Sequence, residues 1–227
     1  MRKLIFRFYA VGVIAAFLWI QVPWQNASAP ASNPEEWLAW IDVAECKMYV
    51  YKNEQLQETF SIAAGTPDTP SPLGVWRITY KAKDWGSGFG TRWLRLSVPW
   101  GIYGIHGTNK PGSIGSHASH GCIRMQNRQV EQLYSMVPVG TQVIIAHGTY
   151  GSIGPWYREL TPGDRGSAVL EVQNRLVRMG YLHTRPDGVF GEATRSALLR
   201  MKREKNLPGN DHVDRETYGV LGILWFD

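Results

Sequence analysis

Cysteine is scarce in this sequence, strong net charge is absent, and long apolar runs are limited to one; each shortage excludes something. The two cysteines, Cys46 and Cys122, are too few to give a structural metal site its short ligand pairs. His106, His117, His120 and Cys122 are metal-capable types, but no second pair accompanies them, so neither a metal nor another cofactor is expected. Basic residues exceed acidic ones by five, and three of them, Arg2, Lys3 and Arg7, stand ahead of the apolar run. Without residues 1–31 the net charge falls to +2, and no concentrated basic patch remains, so nucleic acid is not an expected partner. The apolar run, Phe8 to Val22, is shorter than the roughly twenty residues a membrane-spanning helix needs. Basic residues before it and Ala27-Ser28-Ala29-Pro30-Ala31-Ser32 after it give the order of a secretory signal, with cleavage after Ala31. An uncleaved anchor is the alternative, and the only expected route to a membrane. Both place the rest of the chain outside the cytoplasm; its oligomeric state is open.

What is present is concentrated between residues 103 and 125, which hold three of the six histidines and one of the two cysteines among small, turn-forming residues. A cysteine acts as a nucleophile through its thiolate, and a histidine within hydrogen-bond reach can supply that form at neutral pH. Cys122 is the candidate nucleophile. His106 is the preferred base, because a residue from a neighbouring strand approaches the sulfur more freely than His120, which shares a side with Cys122 only if the segment is extended. Gly121 permits a sharp backbone approach, so its amide and that of Cys122 can be aimed at a developing oxyanion. Arg124 is placed to hold a substrate carboxylate or support the oxyanion.

Ile105-His106-Gly107-Thr108 followed by Ser119-His120-Gly121-Cys122-Ile123-Arg124-Met125 resembles the signature of the L,D-transpeptidase catalytic domain. Ala64-Gly65-Thr66-Pro67 and Thr69-Pro70-Ser71-Pro72-Leu73-Gly74-Val75-Trp76 are similar to the segments that precede it in that family. The resemblance implies a β-sandwich with one or two short helices, acting on peptidoglycan. It implies that Cys122 attacks a tetrapeptide stem, releases D-alanine and passes the acyl group to an amine, making a link between third residues. It also implies that Gly107, Thr108 and Ser119 help bind substrate and His120 is secondary. Water as acceptor would make a carboxypeptidase, and a chain that kept the fold without the chemistry would only bind the wall. Since Gly107 follows His106, a backbone carbonyl must orient the base, and the residues do not say which.

Alternating apolar residues predict strands at Leu38–Val43, Lys47–Tyr51, Gln55–Ala63, Val75–Tyr80, Trp93–Val98, Ile102–His106 and Val143–Ala146. Asn53-Glu54 reads as a turn, Lys81–Gly90 as a surface loop, and Lys110–Ser119 as a flexible lid carrying His117. Asn127 reads as the cap of a helix with Val130, Leu133, Tyr134 and Val137 on one stripe. The catalytic domain is thus expected at 37–148, a linker at 149–160, and a small all-α domain of three helices at 161–227. In the last, Ser167 is the expected cap of a helix with Val169, Val172, Leu176 and Met179 inward. A second helix is expected from Glu192 to Lys205, and a short third from Arg215 to Leu221. Thr161-Pro162-Gly163-Asp164, Val172-Gln173-Asn174-Arg175-Leu176 and Asp187-Gly188-Val189-Phe190-Gly191 are similar to a peptidoglycan-binding module. Met201-Lys202 departs from that module's usual Phe-Gln.

Overall fold

The computed structural model describes residues 35–148 and 158–223. The predicted signal or anchor, and the linker as far as residue 157, lie outside the described residues. The first element is the meander β1 (Trp37–Asp42), β2 (Lys47–Lys52) and β3 (Gln55–Ser61). β2 shows why it forms: Met48 and Val50 are fully buried while Lys47, Tyr49 and Tyr51 face outward, the period-2 pattern of a strand with one face on a core. Each such buried side chain contributes about 1.5–3 kcal/mol. Asn53 and Glu54 both have positive φ, 48° and 65°, as a two-residue hairpin turn matched to strand twist requires.

The remaining strands are β4 (Ala64–Gly65), β5 (Gly74–Lys83), β6 (Arg92–Leu96), β7 (Gly104–Thr108), β8 (His117–Ser119), β9 (Ile123–Gln126) and β10 (Gln142–Ala146). One sheet runs in the order β3-β2-β1-β10-β5-β6-β7-β9, and β4 pairs with β8 separately. β5 joins its two halves. Gly74–Arg77 pair with β10, and Ile78–Lys83 pair with β6 across a register shift between Ile78 and Tyr80. Such a bulge sharpens local twist, and residues of both halves enter one core with Val130, Leu133 and Val137.

Several boundaries differ from expectation. The third strand ends at Ser61, because Ile62 and Ala63 turn to bond with Cys46 and Arg124. The fourth extends to Lys83 because β6 pairs with it that far. The helix α1 (Asn127–Met136) begins one residue after Gln126, which caps it without a side-chain bond. Asn127 is therefore not the cap; its Oδ1 accepts instead from Thr91 N at 3.2 Å. The segment 110–119 is anchored rather than loose: β8 lies parallel to β4, Gly115 N donates to Ile62 O at 2.8 Å, and Ala64 N donates to Ser116 O at 3.1 Å.

Helices α2 (Ser167–Arg178), α3 (Glu192–Glu204) and α4 (Arg215–Val220) enclose a second core with Val169, Val172, Leu176, Ala197, Leu198, Met201 and Tyr218. Leu160, fully buried, belongs to this core, and its backbone bridges Val213. Gly166, not Ser167, is the α2 cap residue, with no side-chain bond. Gln173 is 2% exposed and fully used. Its Nε2 donates to Asp187 Oδ1, Val189 O and Thr194 Oγ1, and its Oε1 accepts from the amides of Asp187 and Gly188. Lys202 is fully buried, donating to Asn210 Oδ1 and to His212 O at 2.6 Å, with Asp214 at 3.7 Å. Here the departure at Met201-Lys202 has a physical role, since the ammonium ties α3 to the turn before α4. Lys202→Met strands those acceptors, and removing one partner of a buried charged group costs about 3–5 kcal/mol. The helical region of that variant is expected to unfold at clearly lower urea concentration by circular dichroism; an unchanged midpoint would deny Lys202 this role.

Candidate active site

β7 and β9 are parallel neighbours, with Ile105 opposite Ile123 and His106 opposite Arg124. Paired residues project to the same face, and so do residues two apart along a strand. His106 and Arg124 thus share a face, and Cys122 enters that face just ahead of β9, beside Gly104. The Arg124 charge acts on both the imidazole and the sulfur. Both cysteines are free thiols. Cys46, 4% exposed with its Sγ directed at Val43 O, sits in the core at the turn after β1.

His106 is 3% exposed. Its Nδ1 lies 2.5 Å from Gly107 O, so a ring N–H there donates to the carbonyl of the next residue. The carbonyl that the sequence left unspecified is therefore Gly107's own. This contact sets the neutral tautomer with an unprotonated Nε2, the form a general base needs. Aromatic rings enclose the imidazole: Phe89 edge-on at 5.0 Å and Trp93 stacked at 5.8 Å, with Trp85 stacked on Trp93. Burial lowers the His106 pKa most, the Arg124 charge lowers it further, and the Gly107 and Phe89 carbonyls oppose both. Burial raises the Cys122 pKa, while a Gly104 backbone hydrogen bond and Arg124 act the other way. Both shifts favour a resting pair of neutral thiol and neutral imidazole. Among the described residues no hydrogen bond joins them.

The turn that carries Cys122 is braced from within. Ser119, 1% exposed, donates from Oγ to Cys122 O at 2.6 Å, and the same oxygen accepts from Gly121 N at 3.0 Å. The Gly121 amide is thus occupied in this arrangement, contrary to its expected use as an oxyanion donor, and the Cys122 amide is left as the candidate. Gly121 has φ of +105°, and a Cβ there would stand 2.8 Å from the Tyr103 ring and 3.1 Å from Pro70 O. That kink ends the extended run on which a same-side His120 depended, and the His120 side chain is exposed. His117 is exposed on β8. Arg124 donates to Ala118 O at 3.0 Å.

The three expected substrate contacts also make internal contacts. Ser119 braces the turn. Thr108, 7% exposed, accepts from Lys110 N at 3.1 Å. Gly107 is buried where a Cβ would meet Asn127 Oδ1 and, at 3.1 Å, Thr91 N. Sequence reasoning missed Phe89, Trp93, Tyr103 and Asn127. The density of aromatics between residues 85 and 103 was the available signal. Among the described residues no three His, Cys, Asp or Glu side chains group as a metal site.

Comparison with known proteins is consistent with this arrangement. Residues 36–145 match the model of the L,D-transpeptidase catalytic domain, and residues 165–221 match that of a "Putative peptidoglycan binding domain". The chain is 47% identical over 96 residues to the "Putative L,D-transpeptidase YkuD" of Bacillus licheniformis, which covers 42% of this chain and 57% of that protein. It is 35% identical over 114 residues to the "Putative L,D-transpeptidase YqjB" of Bacillus subtilis, covering 44% and 65%. The chain thus spans less than two thirds of the length of these curated relatives. An L,D-transpeptidase from Mycobacterium smegmatis superposes on 49% of this chain and 58% of its own, with a TM-score of 0.44 and 22% identity.

Proposed function

We propose that the chain is a cysteine acyltransferase of peptidoglycan stem peptides, working outside the cytoplasm; the reading is supported by the match of residues 36–145 to the L,D-transpeptidase catalytic-domain model and of residues 165–221 to that of a putative peptidoglycan-binding domain. The observation that carries this reading is the pairing of His106 with Arg124 across β7 and β9, with Cys122 two residues ahead of Arg124 and beside Gly104.

As the Cys122 sulfur attacks the carbonyl of the third stem residue, its proton passes to Nε2 of His106, and the Gly107 carbonyl steadies the resulting imidazolium through Nδ1–H. Negative charge on the carbonyl oxygen falls to the Cys122 amide, with Arg124 supplying a positive field. Collapse breaks the C–N bond to the terminal D-alanine, whose amine takes the proton back from His106, and a thioester remains. An acceptor amine then gives its proton to His106 and attacks the thioester. The sulfur leaves with the electron pair and recovers the proton, and the new amide joins two third residues. The phenyl and indole walls around His106 favour this route by keeping bulk water from the base.

Defined tetrapeptide muropeptides incubated with the full chain are expected to yield D-alanine and a dimer whose mass equals that of two donors less one D-alanine, read by mass spectrometry. Trimmed tripeptide alone would replace the amine with water as acceptor. No change in substrate would leave only wall binding.

A further inference from the structure

One cavity lies away from Cys122, which is not among its lining residues. It encloses about 430 Å³ between the two cores, lined on one side by Gly65, Pro70, Ser71 and His117, and on the other by Arg158, Arg165 and Ala168. That volume falls in the range of small-molecule and peptide pockets. The halves are held together by packing. Leu170 of α2 packs against the β core. Gly188, with φ of +70°, lies so close to Trp100 that a Cβ would overlap the indole, 2.7 Å from Cζ3. Trp100 in turn meets Tyr103 edge-on at 6.4 Å, and Tyr103 covers Gly121.

We propose that this cavity is a second binding site, formed jointly by the β domain and the helical domain, for a short peptide carrying carboxylates and a free amine; that the peptide is a stem peptide of the wall rests on the function proposed above. Two guanidinium groups stand on its helical side. Arg158 shares its charge with Asp164 at 3.2 Å, while Arg165 is exposed and makes no ion pair among the described residues. Guanidinium groups are the side chains best matched to carboxylates. On the β side Asp68 offers the one lining carboxylate, a seat for an ammonium group. The segment Thr66–Ser71 is a common wall: Pro67, Asp68, Pro70 and Ser71 line the cavity, while Thr69 Oγ1 donates to Ser119 O at 3.2 Å and Thr66 N donates to the same carbonyl at 3.1 Å. A peptide in the cavity therefore lies one chain thickness from the turn that carries the nucleophile. In this geometry the helical domain contributes to substrate selection as well as to holding the wall.

The test uses the full chain with Cys122→Ala, so that nothing turns over, and follows backbone amide shifts of Gly65, Gly166 and Ala168 by NMR. The titrants are a synthetic tetrapeptide stem with free carboxylates and its fully amidated counterpart. The free-carboxylate peptide is expected to move these amides saturably, and Arg165→Glu to raise the Kd read there by about tenfold or more, the scale of a lost charge-assisted hydrogen bond. Arg158→Gln should act in the same direction. Arg178→Glu, an equal charge change at the far end of α2, should leave the Kd alone. The proposal is overturned if the amides do not move, if the amidated peptide moves them equally, or if both charge reversals weaken binding alike. Acyl-enzyme formation on the unmodified chain is a separate readout: adduct without cavity shifts removes only the second site, and cavity shifts without adduct remove only the enzyme.

Discussion

Intact-mass measurement of the Cys122→Ala chain after exposure to a tetrapeptide donor or a carbapenem is expected to show no adduct, where the unmodified chain gains one acyl group. The expectation follows from how differently the two thiols are placed. Cys122 is half-buried at a turn beside β7, within the field of Arg124 and a backbone donor. Cys46 is shut into the core, its pKa raised chiefly by burial, with Asp42 adding to the rise and an Ala64 backbone hydrogen bond opposing it. A thiol sealed into the core is out of a substrate's reach, and such structural cysteines are inert. Cys46→Ala should therefore acylate like the unmodified chain. An adduct surviving on Cys122→Ala, mapped to Cys46 or elsewhere, would sink the nucleophile assignment. The folded state should tolerate the change, because the turn is braced by Ser119 through backbone atoms of Gly121 and Cys122.

The second large effect is that of His106→Ala, expected to slow acylation by about a hundredfold or more, the scale of a general base, with thermal unfolding still cooperative. The pH dependence has a definite sign. Only neutral imidazole can take the thiol proton, so activity falls as pH drops through the His106 pKa. Burial, with help from Arg124, holds that pKa below the ordinary imidazole value, so the acid limb should lie below about 6.5. In Arg124→Gln the imidazole loses a repelling neighbour and the thiolate an attracting one, so the acid limb should move upward while the Cys122 pKa rises further. An acid limb above the ordinary value in the unmodified chain, or a downward move in Arg124→Gln, would contradict the neutral resting pair. A drop of the same size in His120→Ala would exchange the roles of the two histidines, against the exposed position of His120.

Much of the architecture was legible in residue order, because strand and helix periods are local. The alternation in Lys47–Tyr51 and the stripe Val169, Val172, Leu176 each need only one buried side, whatever covers it. The candidate site was legible as a list of residue types, since His106, Cys122 and Arg124 carry their chemistry in their side chains. Hydrogen-bond assignments were not. Asn127 and Ser167 both fit a helix cap by rule, yet Asn127 is drawn to Thr91, and Gly166 takes the cap position before Ser167. Gly121 was a reasonable oxyanion donor until Ser119 Oγ was found within reach of its amide.

By itself, the order of residues determined a mostly β region followed by a helical one, and supplied a candidate nucleophile near residue 120 and the histidine preferred as its base. Only the tertiary structure decided that the Gly107 carbonyl holds the imidazole, that Phe89 and Trp93 enclose it, that β4 pins the segment before the nucleophile, and that Gly188 rests on Trp100. The physical reason is separation along the chain. A side chain's character is fixed at its own position, but its pKa, its partner and its exposure depend on atoms delivered by other strands and helices, and no local pattern encodes which of those arrive.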